Sequence, residues 1–194
     1  MGLIVENLES IVKEKMSVIK GSVHSFEHVK RVFKIATFFA REEKADVELV
    51  QVGALFHDLG WIMGKPHHEN GAELASRILK DINYPQGRRE KIVKIILRHP
   101  LDFRDELETI EEKIVWDADK IDLLGIVGVV RAFHWLGNAP FDSVVKRSFK
   151  ELKTIYPLLN TETAKKIAKR RHNEILFLLS ALKRELSLED LDLI

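Results

Sequence analysis

The chain has 194 residues, 45% of them hydrophobic and 31% charged, with a formal net charge of +1. That length supports one domain with a substantial core and disfavours two large ones, and the composition excludes the low-hydrophobicity, high-charge pattern of a disordered chain. The near-neutral balance argues against a general polyanion binder, so no specific nucleic-acid partner is expected.

There is no cysteine, which removes disulfides, thiolate nucleophiles and thiolate zinc sites and leaves nitrogen and oxygen to hold any metal. No apolar run approaches the roughly 20 residues that span a bilayer. The first segment alternates charged with apolar residues instead of forming the apolar stretch of a leader. A soluble, cytoplasmic protein with no membrane partner is expected.

Apolar residues recur at helical spacing throughout, and no two alternating segments are joined by a tight turn, so the predicted fold class is all-α. In chain order, helices are predicted near 3–20, 26–42, 47–58, 68–80, 86–98, 110–121, 123–136, 142–155 and 162–185. Pro66, Pro85, Pro100, Pro140 and Pro157 fall between these segments or at their edges, as suits a residue that interrupts helical hydrogen bonding. Asp46 is placed to cap the third helix, and Gly60 follows its end, where a left-handed residue is expected. Thr109-Ile110-Glu111-Glu112 has the spacing of a capping box at the start of another helix.

The third helix is almost wholly apolar until it closes on His57 and Asp58. An imidazole and a carboxylate at the end of a buried helix carry a large desolvation cost unless a cation or dense hydrogen bonding compensates it. Partners are available. On the second helix His28 lines up with Val32 and Ile35 at spacings of four and seven, so it can face the core. Further on, Val115, Asp119, Asp122 and Ile126 share one progression, which makes Asp119 a better inward carboxylate than Asp117. His67, His68 and His99 form a further histidine-rich group between these segments.

An upstream histidine, an adjacent His-Asp pair and a distant aspartate in this order resemble the HD-domain superfamily of metal-dependent phosphohydrolases. His28-Val29-Lys30-Arg31-Val32 resembles its first motif, Ala54-Leu55-Phe56-His57-Asp58-Leu59-Gly60 the second, and Asp117-Ala118-Asp119-Lys120-Ile121-Asp122 the last. The longer string from Asp117 to Arg131 is similar to a subgroup of small stand-alone HD hydrolases. The resemblance implies a single-domain HD helical bundle over 1–194, with a motif-bearing core at about 24–137 and helices over 142–185 packing on it.

It also implies His28, His57, Asp58 and Asp119 as metal ligands and Lys120 as a phosphate-contacting side chain. Some members insert two more histidines; His67-His68-Glu69-Asn70-Gly71 and Leu97-Arg98-His99-Pro100 resemble those insertions and would add a second ion bridged by Asp58. Whether His67 or His68 faces the site stays open, because adjacent helical residues diverge by about 100°. His67 suits a ligand. His68 suits a catalytic histidine that protonates a leaving oxygen.

The chain departs from two branches of that superfamily. Leu59-Gly60-Trp61 follows the His-Asp pair, without the Glu-Asp pair of the alarmone hydrolases, and both the immediate lysine and the Gly-Tyr-Pro signature of the cyclic-dinucleotide phosphodiesterases are absent.

The expected activity is therefore hydrolysis of a phosphomonoester or nucleotide by metal-activated water, with a small phosphorylated substrate, foremost a nucleotide, as partner; a homo-oligomer is left open. One or two divalent transition ions, Mn, Fe, Co, Ni or Zn, suit a histidine-rich donor set better than Mg. Arg131 either binds an anionic substrate or pairs with Asp122. Two other classes are compatible with the pattern: an HD-type di-iron oxygenase, and a nucleotide-binding regulatory module without turnover.

Several residues receive structural roles. His24, one turn before His28, is expected in a first-turn or capping role and not as a ligand. His134 and His172 are assigned to the surface or to partly buried structural positions, and Lys165 to Arg171 to a solvated helix face. Gly125 and Gly128 are read as close-packing or helix-break positions. Trp61, Trp116 and Trp135 are core or pocket-wall residues, with Trp61 also able to stack on a nucleobase.

Overall fold

A computed structural model describes residues 2–19, 21–137, 139–189 and 191; of residues 148, 149 and 151–153 it describes the backbone alone. Nine helices are described: α1 (Leu3–Met16), α2 (Phe26–Glu42), α3 (Val47–Phe56), α4 (His67–Asp81), α5 (Gln86–Arg98), α6 (Ile110–Leu123), α7 (Ile126–Leu136), α8 (Phe141–Ile155) and α9 (Glu162–Ser187). No strand occurs among the described residues, so the fold is all-α. The chain divides into two compact units, residues 1–119 and 120–194.

In the first unit α3 is the central helix. Every residue from Leu49 to Phe56 is buried, and the helix packs against α1, α2 and α5. An amphipathic surface helix would expose one face; α3 has none to expose, which is why its sequence reads as a nearly continuous apolar run. Its Leu55 and Phe56, together with Leu8 and Met16 of α1, Phe39 of α2 and Ile92, Ile95 and Ile96 of α5, are almost fully buried. Each contributes about 1.5–3 kcal/mol of burial relative to full exposure. Asp46 caps α3 as expected, its Oδ1 accepting from the Leu49 N–H at 3.0 Å, and the Arg88 guanidinium grips both carboxylate oxygens of Asp46 at 2.7 and 2.9 Å.

Three local expectations are corrected. First, α1 stops at Met16, where the Ser17 N–H turns back to the Glu14 carbonyl, instead of running towards residue 20, which lies outside the described residues. Second, α3 ends at Phe56, and His57 and Asp58 lead into a short 3-10 turn, Leu59–Ile62. Gly60 is not the left-handed residue expected there. It is required by close approach: a Cβ at Gly60 would lie 1.8 Å from the His67 carbonyl oxygen and 2.4 Å from the Gly71 nitrogen. The start of α4 is thereby held against the end of α3. Third, only half of the capping box forms. The Glu112 N–H donates to Thr109 Oγ1 at 3.2 Å, but the Glu112 carboxylate accepts from the Glu108 N–H at 2.8 Å and from Arg98 at 3.0 Å.

In the second unit α6 ends at Leu123, so Ile126 leaves the progression it shares with Asp119 in sequence and stands half-exposed at the start of α7. Gly125 makes the break, at φ +98°, a conformation that L side chains rarely adopt. Arg171 on α9 donates to the carbonyls of Ile121 and Leu124, near the end of α6 where unsatisfied carbonyls and the helix dipole favour a cation. It therefore departs from the solvated face expected for the basic run, while Lys166, Lys169 and Arg170 keep to it. Trp135 is 49% exposed and is not a core residue, unlike Trp116 in the first unit, which is fully buried and donates to the Pro100 carbonyl. His134 is exposed, and His172 is half-buried with its ring stacked on Tyr156 at 5.6 Å.

No helix among the described residues is long and apolar enough to cross a membrane.

Candidate metal centre

The first unit brings one carboxylate, Asp58, into the middle of five histidines. His57 and Asp58 come from the end of α3, His28 from the first turn of α2, His67 from the start of α4 and His99 from the residue after α5. His24 arrives from the segment before α2, and Asp119 from α6. His28, His57, Asp58, His99 and Asp119 are all buried.

The two oxygens of Asp58 face different histidines. Oδ2 lies 2.9 Å from His24 Nδ1, 3.4 Å from His28 Nε2 and 3.6 Å from His57 Nε2. Oδ1 lies 3.5 Å from His99 Nε2 and 3.8 Å from His67 Nε2. Asp119 joins the first set, its Oδ1 standing 3.2 Å from His28 Nε2 and 4.0 Å from His57 Nε2.

Backbone carbonyls set the orientation of two rings. The Nδ1–H of His57 donates to the Ala54 carbonyl at 2.8 Å, and that of His99 to the Ile96 carbonyl at 2.6 Å. With a proton fixed on Nδ1, each ring turns its Nε2 inward, the arrangement of a metal-ligating imidazole with its outer partner in place. Those Nε2 atoms meet other ring nitrogens, His57 against His28 at 3.3 Å and His99 against His67 at 3.1 Å.

Burial shapes the charges. It pushes the His57 imidazole down to about 4 against the pull of Asp58 and Asp119, and pushes His67 down to about 4 with help from neighbouring His99. Burial alone would raise Asp58, but neighbouring His57 and the hydrogen bond from His24 help to outweigh it, so its carboxyl lies well below the usual range. Uncharged His57 and His67 beside an ionised Asp58 are protonation states that suit a cation.

The donor set fits divalent ions. Donor atoms about 2.0–2.2 Å from one ion stand roughly 2.8–3.6 Å apart in tetrahedral or octahedral arrays. Most of the spacings within each set fall in or close to that range, and three groups have all their donor atoms within 4.8 Å of one another: His24, His28 and Asp58; His28, His57 and Asp119; and Asp58, His67 and His99.

Of the two adjacent histidines, His67 enters this cluster. His68 lies beside it, 3.8 Å from Glu69 and ring to ring with Phe103 at 5.2 Å. Lys120 and Arg131 belong to the second unit. Lys120 is buried directly after Asp119 on α6, and of the two roles open to Arg131 the structure forms the pair with Asp122, at 2.7 Å.

His24 is the residue that sequence reasoning leaves out. Its capping role is not what forms: the ring reaches across to Asp58. The one available signal is its spacing of four from His28, which places both on one face if the helix is extended backwards. Trp61 also differs from expectation. Its indole is sandwiched between His24, at 4.5 Å and 24°, and His67, at 4.4 Å and 11°, so both faces are covered and neither is open to a nucleobase.

An all-α unit carrying these residues in this order defines the class. Residues 25–124 match the HD domain family, and the chain belongs to it. The uncharacterized protein YpgQ of Bacillus subtilis is 30% identical over 179 residues, 86% of each chain. A crystal structure of that protein in complex with ADP has a similar fold, with a TM-score of 0.78 at 24% identity, covering 93% of this chain and 97% of the other. A predicted HD superfamily hydrolase from an uncultured Thermotogales bacterium matches with a TM-score of 0.71 at 26% identity, over 94% of this chain and 91% of its own.

Proposed function

We propose that this protein is a metal-dependent phosphohydrolase that cleaves a phosphomonoester or nucleotide phosphate bond, working as one HD domain with a two-ion centre. The observation that carries this reading is the orientation of Asp58, whose two oxygens each face a separate set of histidines. A carboxylate so placed suits a bridge between two ions. His28, His57 and Asp119 would complete one position with Oδ2, and His67 and His99 the other with Oδ1.

Held by these residues, divalent transition ions would supply a lowered pKa for water and polarisation of a phosphoryl oxygen. The chain's own groups supply the rest. Ala54 and Ile96 hold the His57 and His99 rings with Nε2 turned inward, and burial keeps His57 uncharged, so that ligand needs no proton loss before use. His68, beside the cluster and outside its donor set, protonates the leaving oxygen. Lys120, next in chain to the ligand Asp119, neutralises charge that develops on the phosphate, while the charge of Arg131 is met by Asp122. The ADP complex of the YpgQ protein supports a nucleotide as substrate, and the nitrogen-rich donor set favours Mn, Fe, Co, Ni or Zn over Mg.

The test is phosphate release from a panel of nucleotides and sugar phosphates, measured with each metal in turn and after chelation. The reading expects release from a nucleotide or phosphomonoester that chelation abolishes. Release that is indifferent to metal would overturn it.

A further inference from the structure

A carboxylate that must offer one oxygen to each side of a metal centre has to be held in one plane, and rotation about its last bond is soft. Asp58 is held by two groups outside the ligand set just described. On one oxygen, His24 Nδ1 approaches Oδ2 at 2.9 Å; an ionised carboxylate only accepts, so the ring nitrogen carries the hydrogen and donates it. On the other, the Trp61 indole N–H donates to Oδ1 at 3.1 Å.

Trp61 does more than reach Asp58. It stands in the 3-10 turn that follows the His-Asp pair, and its backbone N–H closes that turn on the Asp58 carbonyl at 3.1 Å. The indole's two faces are each stacked by an imidazole, His24 from before α2 and His67 from the start of α4. One side chain thus fixes the Asp58 carboxylate by its edge and two histidine rings by its faces, tying the turn after α3 to the start of α4 and to the distant segment before α2.

We propose that Trp61 is a positioning residue of the metal centre, with His24 as its counterpart on the opposite oxygen of Asp58. The assignment rests on the metal-centre reading above. Each oxygen of a carboxylate has two lone pairs, so donation from Trp61 and His24 leaves one on each oxygen for an ion. Partners of this outer kind commonly alter metal affinity by about 10–100-fold when removed.

The measurement is titration of the chelator-treated full chain with Mn2+ by calorimetry, with the melting temperature of each metal-free variant recorded beside it. Trp61→Phe keeps an aromatic face for both imidazoles and loses only the N–H. It is expected to weaken the more weakly held Mn2+ about tenfold or more without lowering the metal-free melting temperature. Trp61→Leu, which removes the stack as well, is expected to weaken it further. His24→Asn, whose amide N–H can stand where Nδ1–H does, is expected to bind within about threefold of wild type, and His24→Ala about tenfold more weakly.

Trp61→Phe binding Mn2+ as the wild type does would overturn the Trp61 assignment. His24→Asn falling as far as His24→Ala would make His24 a ligand and overturn its part. A wild-type chain that takes up no divalent ion at all would instead overturn the metal-centre reading. Should Trp61→Phe fail to fold, the two His24 variants carry the test with the indole intact.

Discussion

His67 Nε2 and His99 Nε2 stand 3.1 Å apart, and both face Oδ1 of Asp58, not the oxygen turned to His28 and His57. Two ring nitrogens so placed gain little from each other; a cation between them gains from both. His67→Ala and His99→Ala are therefore expected to cost one bound ion each, leaving the ion on the His28, His57 and Asp119 side in place. Elemental analysis of the purified variants against wild type checks this. Equal ion content in all three proteins would contradict it.

The metal-free protein should lose stability in acid within a defined window. His57 and His67 have folded-state values near 4, below the ordinary histidine value of 6.5. Between those two values the unfolded chain takes up protons that the folded chain refuses, so stability falls as pH drops from about 6.5 to about 4. Asp58, held well below the usual range, keeps its contribution through that window and loses it only at lower pH. Melting temperatures of chelator-treated protein across pH 4 to 7 measure the slope, which should be shallower in His67→Ala; a flat profile would refute the assignment.

Gly60→Ala should disable the site by packing alone. Its Cβ would sit 1.8 Å from the His67 carbonyl oxygen, a backbone atom that cannot swing aside. Overpacking typically costs about 1–3 kcal/mol, and a backbone clash falls at or above the top of that range. A lowered melting temperature together with loss of the ion assigned to His67 and His99 is the expected result. An unchanged ion content would show that α4 is not held through this contact.

These residues also mark how far the sequence is readable. Helical periodicity places most helices to within a few residues, and it turns His28 and Asp119 inward because their spacing to apolar neighbours is local information. The choice between His67 and His68 is not local: it depends on where α4 begins and how Gly60 seats it. His24 precedes α2, so no helical pattern fixes its ring, and its approach to Asp58 depends on the path of the chain before Ser25. Trp61 is read as a possible base platform because nothing nearby in sequence announces that histidines from two other segments cover both its faces. Arg171 looks solvated for the same reason, since the carbonyls it meets lie far from it along the chain.

The central claim is that Asp58 organises a metal centre that hydrolyses phosphate esters. The most direct measurement is metal-dependent phosphate release by wild type and Asp58→Ala, side by side, with ion content determined on the same samples. Wild type is expected to hold two ions and release phosphate. Asp58→Ala is expected to lose at least one ion and about 10³-fold or more of the rate, on the order of 4 kcal/mol of transition-state stabilisation. Phosphate release unchanged by Asp58→Ala would contradict the claim.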